Sequence, residues 1–274
     1  MTYLNRQAAP FSEEIWKQID EAAMNAARDM LTGRRFLDVE GPHGVGLTAV
    51  EVGNDDYCRQ PEPEEAGAVM SRAMSVPMLR KSFSLSIRRI AAHKDMGQPL
   101  NLTPIVTAAE AVAKREEDFV YHGQPAFQLP GLLNVPGHNH HAGGDWANID
   151  QALEDVVAAV NILDAKDFRG PYALALSPVL YNGLFRRYPG SDLLQLQHLR
   201  SLCMRGVYKA TIEGGVLVDP RLGRLIIGQD LMAGYASQDG VHYQLYLNES
   251  LVLLIEEPGA VCTISPQAFA VKTT

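Results

Sequence analysis

The sequence predicts an α+β fold in which a strand-rich arm, a group of helices and a closing sheet follow one another along the chain. Apolar side chains alternate with polar ones at both ends of residues 46–90. They recur at helical spacing through the middle of the chain and alternate again from Val207 onward. This order lacks the strict strand–helix alternation of a doubly wound parallel sheet.

The first element is predicted to be an amphipathic helix. Ser12 is placed to cap it, and two glutamates follow in the first turn. Apolar residues then recur every three or four positions up to Gly33: Ile15, Ile19, Ala23, Ala26, Met30 and Leu31. Residues 34–40 suit a short strand that ends in the turn-forming residues 41–44.

Residues 46–90 are predicted to form a long two-stranded arm. Alternation over residues 47–52 and 82–90 gives its strands, and the polar, acidic residues 53–67 offer nothing that could be buried. A two-stranded arm is only marginally stable in water. Four apolar residues lie near the return strand, and either a neighbouring chain covers them or they pack onto their own domain. They are Met70, Met74, Met78 and Leu79.

Helices are predicted for the middle of the chain and strands for its end. Thr103 and Asp150 each stand where a helix begins, and the first helix runs to about Phe119. The apolar residues 172–176 have the length of a buried strand, and Ser177 caps a further helix that a turn at residues 188–192 interrupts. The strands predicted after that are residues 216–218, 222–227, 241–247 and 251–255.

The charge balance argues against a nucleic-acid-binding protein. The 274-residue chain has 24 Lys and Arg against 32 Asp and Glu, a net charge of −8, and 46% hydrophobic residues. This composition excludes a wholly disordered chain and lacks the clustered basic residues that a phosphate backbone requires. The densest basic stretch holds Arg80, Lys81, Arg88 and Arg89, which we interpret as the polar face of a strand.

Cysteine usage and the N-terminal sequence predict a cytoplasmic protein. Cys58, Cys203 and Cys262 match no zinc or haem spacing, and their odd number fits a reducing compartment. The N-terminal residues lack the apolar stretch of a signal peptide. No segment reaches the ~18 consecutive apolar residues of a membrane helix.

Candidate nucleotide and acid–base sites fail their structural requirements. Gly44, Gly46 and Ala49 match a dinucleotide-binding pattern, but strand-like alternation follows them where that pattern requires a helix. Residues 116–118 are three consecutive acidic residues that diverge around a helix, so we interpret them as a solvated face. Cys203 lies among leucines and is interpreted as a core residue.

The one histidine cluster of the sequence lies in a glycine-rich segment, residues 137–144. His138, His140 and His141 could ligate a metal, but such a segment is more often a solvated loop without fixed ligand geometry. We therefore predict no metal site and leave a role for these histidines open.

Two sequence blocks together carry a resemblance to a known family. They read GRRFLDVEGPHG at residues 33–44 and LIIGQDLMAGY at residues 225–235, and the segments LNRQAAPFSEEIWKQID and GPYALALSP also fit. In these blocks the chain resembles the encapsulin shell proteins, bacterial and archaeal nanocompartment subunits formerly described as linocin-like bacteriocins. That family shares the Hong Kong 97-type phage major capsid fold.

The resemblance implies a non-enzymatic subunit of a closed icosahedral shell. It implies an N-terminal helix and strand of a peripheral domain at residues 1–45, an extended arm at 46–90, a long peripheral helix at 91–135, an axial domain at 136–222 and a return to the peripheral sheet at 223–274. An arm without a core makes sense when it lies across an adjacent subunit.

The resemblance also implies a groove between the N-terminal helix and the peripheral sheet, which binds a short C-terminal targeting peptide of a cargo enzyme. An extended peptide needs apolar pockets and a few polar anchors. Arg34 and Asp38 could instead pair with each other, and Leu31 could be plain core. The matching positions are Leu31, Arg34, Asp38, Val39, Asp230 and Leu231.

A pore, a cargo and a cofactor expectation follow from the same resemblance. The five-fold pore would be lined by Tyr188, Pro189, Gly190, Ser191 and Asp192. The alternative interpretation of these residues is an ordinary turn between helices.

The expected cargo is a ferritin-like iron oxidase for iron storage, or next a dye-decolourising-type peroxidase. No cofactor is expected, because the tryptophan on which some members place flavin is replaced by Arg88. A peptidase or bacteriocin and a phage capsid subunit are the alternative functions.

Overall fold

The computed structural model describes residues 2–188 and 192–266 and divides the chain into two compact units. The first unit consists of Met1–Leu31, Glu40–Asp118 and Ile226–Val252. The second consists of Thr32–Val39, Phe119–Leu225 and Leu253–Thr274. Each unit is thus built from three separate stretches of chain. Within the described residues, every helix is too short or too polar to cross a membrane.

The described residues form helices and three sheets, which confirms the predicted α+β class. The helices are α1 (Glu13–Met30), α2 (Ile87–Met96), α3 (Thr103–His122), α4 (Gln151–Asp164), α5 (Pro178–Gly183) and α6 (Gln195–Leu202). The strands are β1 (Asp38–Glu40), β2 (Ala49–Tyr57), β3 (Val69–Ser75), β4 (Met78–Ser86), β5 (Asn139–Ala142), β6 (Ala173–Leu176), β7 (Gly206–Lys209), β8 (Gly215–Val218), β9 (Gly223–Gln238), β10 (His242–Ile255) and β11 (Val261–Ser265). The sheets have the orders β1-β9-β10-β4, β5-β11-β8-β6-β7 and β2-β3.

Helix α1 begins where the sequence predicts. The Ser12 hydroxyl accepts a hydrogen bond from the Ile15 amide at 3.4 Å, and two glutamates occupy the first turn. Ile19 and Ala23 continue the buried face, which therefore follows the predicted helical spacing. The remaining faces of α1 carry polar residues and two exposed apolar residues, Met24 and Met30, so the predicted apolar row does not extend to Met30.

The predicted arm is shorter in the structure. Strands β2 and β3 form a hairpin, but β4 pairs with β10 in the four-stranded sheet, where Phe83 lies opposite Leu245. The prediction of a strand up to residue 90 is wrong, because Ile87 begins α2. A period of two cannot distinguish a free hairpin strand from a sheet strand. The burial of Phe83 and Leu85 decides for the sheet.

The basic stretch and the segment after α1 also differ from prediction. Arg80 lies on β4, with its guanidinium 3.8 Å from the centre of the Tyr246 ring, whereas Arg88 and Arg89 lie on α2 and do not share a strand with it. The strand predicted for residues 34–40 is reduced to β1. The amides of Phe36 and Leu37 bond back to the Gly33 carbonyl and form a 3-10 turn.

Helix α3 carries two acidic residues on its buried side. Glu116 is fully buried and Glu117 is 8% exposed, so the prediction of a solvated face is wrong for both. Glu116 continues the row of Ile105, Ala109 and Val112, all buried at helical spacing on this helix. Because residues 116–118 are all acidic, the sequence analysis did not recognise that Glu116 belongs to this buried row of the helix.

The second unit is organised around the five-stranded sheet. Helix α4 packs against β5, β8 and β11, and strand β6 is fully buried between β7 and β8, as its apolar run predicts. Cys203 is completely buried, and burial raises the pKa of its thiol to about 12, which confirms its reading as a core residue. The strand predicted at 216–218 is present as β8.

Two of the three clustered histidines, His140 and His141, lie on a strand and not in a loop, and His138 precedes that strand. Residues 139–142 form β5, which pairs in parallel with β11. His140 Nδ1 lies 3.0 Å from Thr263 Oγ1, and His141 Nε2 lies 3.1 Å from Asp155 Oδ1, so these rings face different partners. Neighbouring strand residues point to opposite faces of a sheet. No metal-ligating group of three His, Cys, Asp or Glu side chains occurs in residues 2–188 and 192–266.

Candidate functional site

A cavity of about 650 Å³ opens beside helix α1 in the first unit. Its size is in the range of ligand pockets, roughly 300–1,000 Å³. The N-terminal segment, the outer side of α1 and one residue of strand β9 form its walls. We call it the α1 cavity, and its lining residues are Arg6, Gln7, Ala9, Phe11, Glu13, Trp16, Lys17, Asp20, Glu21, Met24 and Met232.

An ion pair between the N-terminal segment and α1 fixes one side of the α1 cavity. Arg6 donates two hydrogen bonds to the Asp20 carboxylate, at 2.8 and 2.6 Å, and a third from Nε to the Ala233 carbonyl at 2.8 Å. Its guanidinium also lies 4.6 Å from the centre of the Trp16 ring. Both members of the pair are mostly buried, which favours this two-point geometry over a loose surface pair.

Aromatic rings form a second wall of the α1 cavity. Phe11 lies 5.3 Å from Trp16 and 4.9 Å from Tyr243, measured between ring centres, and the second contact is edge-to-face. Trp16 is 7% exposed, whereas Met24, two turns further along α1, is 44% exposed. The α1 cavity therefore combines a fixed aromatic wall with a flexible, accessible apolar side chain.

Three predicted groove residues lie in the same unit. Leu31 directly follows α1 and is 8% exposed, so its side chain contributes chiefly to the core. On β9, Asp230 is exposed and Leu231 is 7% exposed, and the Asp230 carboxylate accepts a hydrogen bond from the Leu231 amide at 3.0 Å. Met232, the next residue, lines the α1 cavity.

The other three predicted groove residues belong to the second unit. Arg34 is half-buried in the 3-10 turn, and Val39 on β1 is 47% exposed. Asp38 accepts a hydrogen bond from Arg205 at 2.7 Å and forms an ion pair with it. The sequence spacing had suggested Arg34 as the partner of this carboxylate.

The sequence reasoning missed most of the α1 cavity. Arg6 and Asp20 are 14 positions apart, and their shared backbone partner Ala233 is more than 200 residues away, so no local pattern connects them. Met24 gave a usable signal, because it is an apolar residue on α1 outside the buried stripe of Ile19 and Ala23.

The predicted pore turn is only partly described. The Tyr188 ring packs edge-to-face on the His198 ring, with ring centres 4.9 Å apart. Asp192 is exposed, and its Oδ1 lies 3.6 Å from Arg187 Nη1. Pro189, Gly190 and Ser191 lie outside the described residues. Arg186 donates hydrogen bonds to the carbonyls of residues 146 and 147 and so anchors the chain where it enters the turn.

The candidate nucleotide-binding glycines and the candidate flavin-site residue Arg88 do not form a binding site with one another. Gly44 and Gly46 precede strand β2 and not a helix, in agreement with the rejection of a dinucleotide-binding loop. Arg88 is exposed near the start of α2.

The architecture is that of virus capsid and virus-like-particle subunits. The virus-like particle of Pyrococcus furiosus matches with a TM-score of 0.72 at 19% identity, over 92% of this chain and 100% of that one. The capsid of Myoviridae phage XM1 matches with a TM-score of 0.60 at 15% identity, over 85% and 90%. This likeness establishes the capsid fold and confirms the predicted one.

The sequence comparisons identify the family. The family described as "Encapsulating protein for peroxidase", Linocin_M18, matches residues 1–252. The type 1 encapsulin shell protein EncA of Myxococcus xanthus is 29% identical over 277 residues, which covers 96% of each protein. The chain belongs to this encapsulin family. It is a non-enzymatic shell subunit that assembles with copies of itself into a capsid-like particle.

Proposed function

We propose that this shell encloses a cargo enzyme and retains it through a C-terminal targeting peptide of that enzyme. The observation that carries the proposal is the α1 cavity, which offers apolar walls and charged groups beside the strand that bears Asp230 and Leu231. A cavity of that composition suits an extended peptide, which is recognised by pockets for alternate side chains and a few polar anchors.

Six residues are proposed to contact the peptide. Val39 offers an exposed apolar side chain, and the exposed carboxylates of Asp38 and Asp230 offer polar anchors. Arg205 holds Asp38 in place, which lowers the entropy that this side chain loses on binding. The full set is Leu31, Arg34, Asp38, Val39, Asp230 and Leu231.

The proposed cargo is a ferritin-like iron oxidase that stores iron, and a dye-decolourising-type peroxidase is the second candidate. The family's description as an encapsulating protein for peroxidase favours the second. The proposed particle is icosahedral and cytoplasmic and carries no flavin, since Arg88 is the nearest equivalent in this chain of the tryptophan on which some members place flavin.

Small ions are proposed to reach the cargo through a pore at the five-fold axis. It would be lined by Tyr188, Pro189, Gly190, Ser191 and Asp192. The sign of the charge that lines the pore would select the ions, because a lining of one charge raises the local concentration of the opposite ion.

Electron microscopy of the purified particle, with mass spectrometry of co-purifying proteins, tests the proposal. Hollow, uniform particles that contain a second protein are the expected result, and the mass spectrum names the cargo. Particles from the native host that are consistently empty would contradict cargo retention, and an iron oxidase or peroxidase inside would decide between the two candidates.

A further inference from the structure

A second cavity, of about 190 Å³, lies in the first unit where strand β4 passes into helix α2. The end of β4, the first turn of α2, the segment that leads into α3 and the start of β10 form its walls. It shares no residue with the α1 cavity, and it is smaller than pockets for drug-sized ligands, roughly 300–1,000 Å³. We call it the β4–α2 cavity, and its lining residues are Ser84, Leu85, Ser86, Arg89, Ile90, Leu100, Asn101, Pro104 and His242.

The register of the sheet brings three polar side chains of this lining to one face. Ser86 lies directly opposite His242 in the antiparallel pair of β4 and β10, and Ser84 precedes Ser86 by two residues. Strand residues two positions apart, and residues directly opposite one another on paired strands, point to the same face of a sheet. Two hydroxyl groups and an imidazole ring therefore line the β4–α2 cavity from the same side.

The polar groups of the lining have hydrogen-bond donors to spare. Ser86 stands at the N-cap of α2, but its side chain makes no capping bond there. The Ser84 hydroxyl has no partner among the described residues either. The Asn101 side-chain oxygen accepts a hydrogen bond from the Thr103 amide at 3.2 Å, which leaves the nitrogen of the same side chain as a donor.

The lining is positively charged, because it includes an arginine and no carboxylate. Within residues 2–188 and 192–266, the Arg89 guanidinium has no ion pair and no hydrogen bond. An arginine is always charged and offers five donors, and His242 adds a second charge when it is protonated. Acidic residues outnumber basic ones in the whole chain, 32 to 24, so this lining departs from the average composition.

The carboxylate of Asp239 lies close to the β4–α2 cavity but is already bonded. Its Oδ2 is 3.9 Å from His242 Nδ1, and Asp239 itself is not part of the lining. It accepts hydrogen bonds from the amides of Val241 and His242, at 2.9 and 2.7 Å, and from the Gln244 side chain at 3.0 Å. This carboxylate therefore leaves the Arg89 charge without compensation.

We propose that the β4–α2 cavity binds a small oxyanion of the phosphate class. Arg89 supplies the charge-assisted hydrogen bonds, since its planar fork matches two oxygens of such an anion, and Ser84, Ser86 and Asn101 donate to the others. The bound anion links β4, α2 and the segment before α3. This site is independent of cargo retention, because it shares no residue with the proposed peptide contacts.

Equilibrium dialysis of intact particles against labelled inorganic phosphate, at low salt, tests the proposal. We expect saturable binding of about one anion per subunit, with a dissociation constant on the order of 1 mM. Ribose 5-phosphate as competitor distinguishes the source of the phosphate group. Displacement by it would identify a phosphate monoester as an acceptable ligand, and failure to displace would restrict the site to the free anion.

Two neighbouring arginines provide a matched pair of variants. Arg89→Gln should weaken phosphate binding about tenfold or more, because it removes the charge that the anion contacts. Arg88→Gln removes the same charge from the adjacent, exposed position of α2, but Arg88 does not line the β4–α2 cavity, so binding should be unchanged. Ser86→Ala should weaken binding about two- to tenfold through the loss of one donor, and it tests the site without altering any charge.

Two results would overturn the site. The first is the absence of saturable phosphate binding by wild-type particles. The second is an equal loss of binding in Arg89→Gln and Arg88→Gln, which would mean that the general charge of α2 attracts the anion and not the β4–α2 cavity. Electron microscopy of each variant shows that its particles are intact, and neither result affects the proposed retention of cargo.

Discussion

The carboxylate of Asp155 is the most completely bonded buried charge described in the second unit. It accepts hydrogen bonds from Trp146 Nε1 at 2.7 Å, the Gly144 amide at 2.9 Å and Gln151 Nε2 at 3.0 Å, and His141 Nε2 lies 3.1 Å away. Burial by itself would raise the pKa of Asp155, but these hydrogen bonds outweigh burial and hold the pKa below its ordinary value. The charged carboxylate thereby ties β5 to α4.

The Asp155→Asn substitution should lower the free energy of unfolding by about 1–3 kcal/mol at neutral pH, because the amide group cannot accept all four contacts. A group with a depressed pKa stabilises the fold above its unfolded-state pKa and loses that contribution as the pH falls through the folded-state pKa. The difference between wild type and variant should therefore shrink in acid. Urea unfolding between pH 7 and pH 3, followed by tryptophan fluorescence, measures it.

Asp167→Asn is the matched control for this prediction. Asp167 is exposed three residues beyond the end of α4 and pairs with Arg169 at 3.2 Å, so its substitution should have little effect at any pH. An Asp155→Asn effect of the same size at pH 3 as at pH 7 would show that the charge of Asp155 does not stabilise the fold.

A double substitution tests the proposed peptide contacts. Arg34→Ala with Asp38→Ala should leave particles intact and empty them of cargo, because it removes two polar anchors of the proposed groove. The ratio of cargo to shell protein in purified particles, from gel densitometry, measures the loss. Arg35→Ala with Glu40→Ala removes the same charges from the same stretch of chain outside the proposed set. Unchanged cargo in the first variant would exclude Arg34 and Asp38 from the site.

At the scale of elements, the hairpin of β2 and β3 presents apolar side chains that its own strands do not cover. Tyr57, Val69 and Met70 are 48%, 55% and 60% exposed. An isolated hairpin with such residues is marginal in water, and adjacent exposed apolar residues mark interaction surfaces. In a shell built from identical copies, a neighbouring subunit is the available cover.

Met70→Lys should therefore impair assembly without unfolding the subunit. The lysine charge would have to be buried at the contact between subunits, while in a free subunit it would stay in water. Size-exclusion chromatography should show a shift from particles to small species, with unchanged circular dichroism. Ala66→Lys places the same charge in the turn that joins the two strands and serves as the control. Assembly of Met70→Lys at wild-type yield would show that this part of the hairpin lies outside the contact.

The sequence predicted elements correctly where the capping residue and the periodicity indicated the same structure. It failed where the same periodicity is compatible with two structures, such as a hairpin strand and a strand of a larger sheet. Helix α1 has both a cap at Ser12 and a buried stripe. The alternation in β4 was correct, but its partner β10 lies more than 150 residues away and could not be read locally. Glu116 shows the reverse case, since the residue type suggested solvent and its spacing from Val112 indicated burial.

At the scale of the whole molecule, assembly completes what one chain leaves uncovered. The two units account for the core, while the hairpin residues 49–75 include few that are shielded from solvent. Closed symmetry removes such exposed surfaces, because each copy covers the surface that the next one presents. Ordering of the hairpin should then be coupled to particle formation through mass action.

Hydrogen exchange tests this coupling directly. In intact particles the backbone amides of β2 and β3 should exchange slowly, because subunit contacts add to the free energy of opening the hairpin. In dissociated subunits the same amides should exchange faster by several orders of magnitude, since an isolated two-stranded sheet opens readily. Strand β6, which is buried within the second unit, should keep its protection in both states and serves as the internal reference. Equal protection of the hairpin in both states would mean that a single chain already orders it, and the argument for an arm completed by its neighbours would fail.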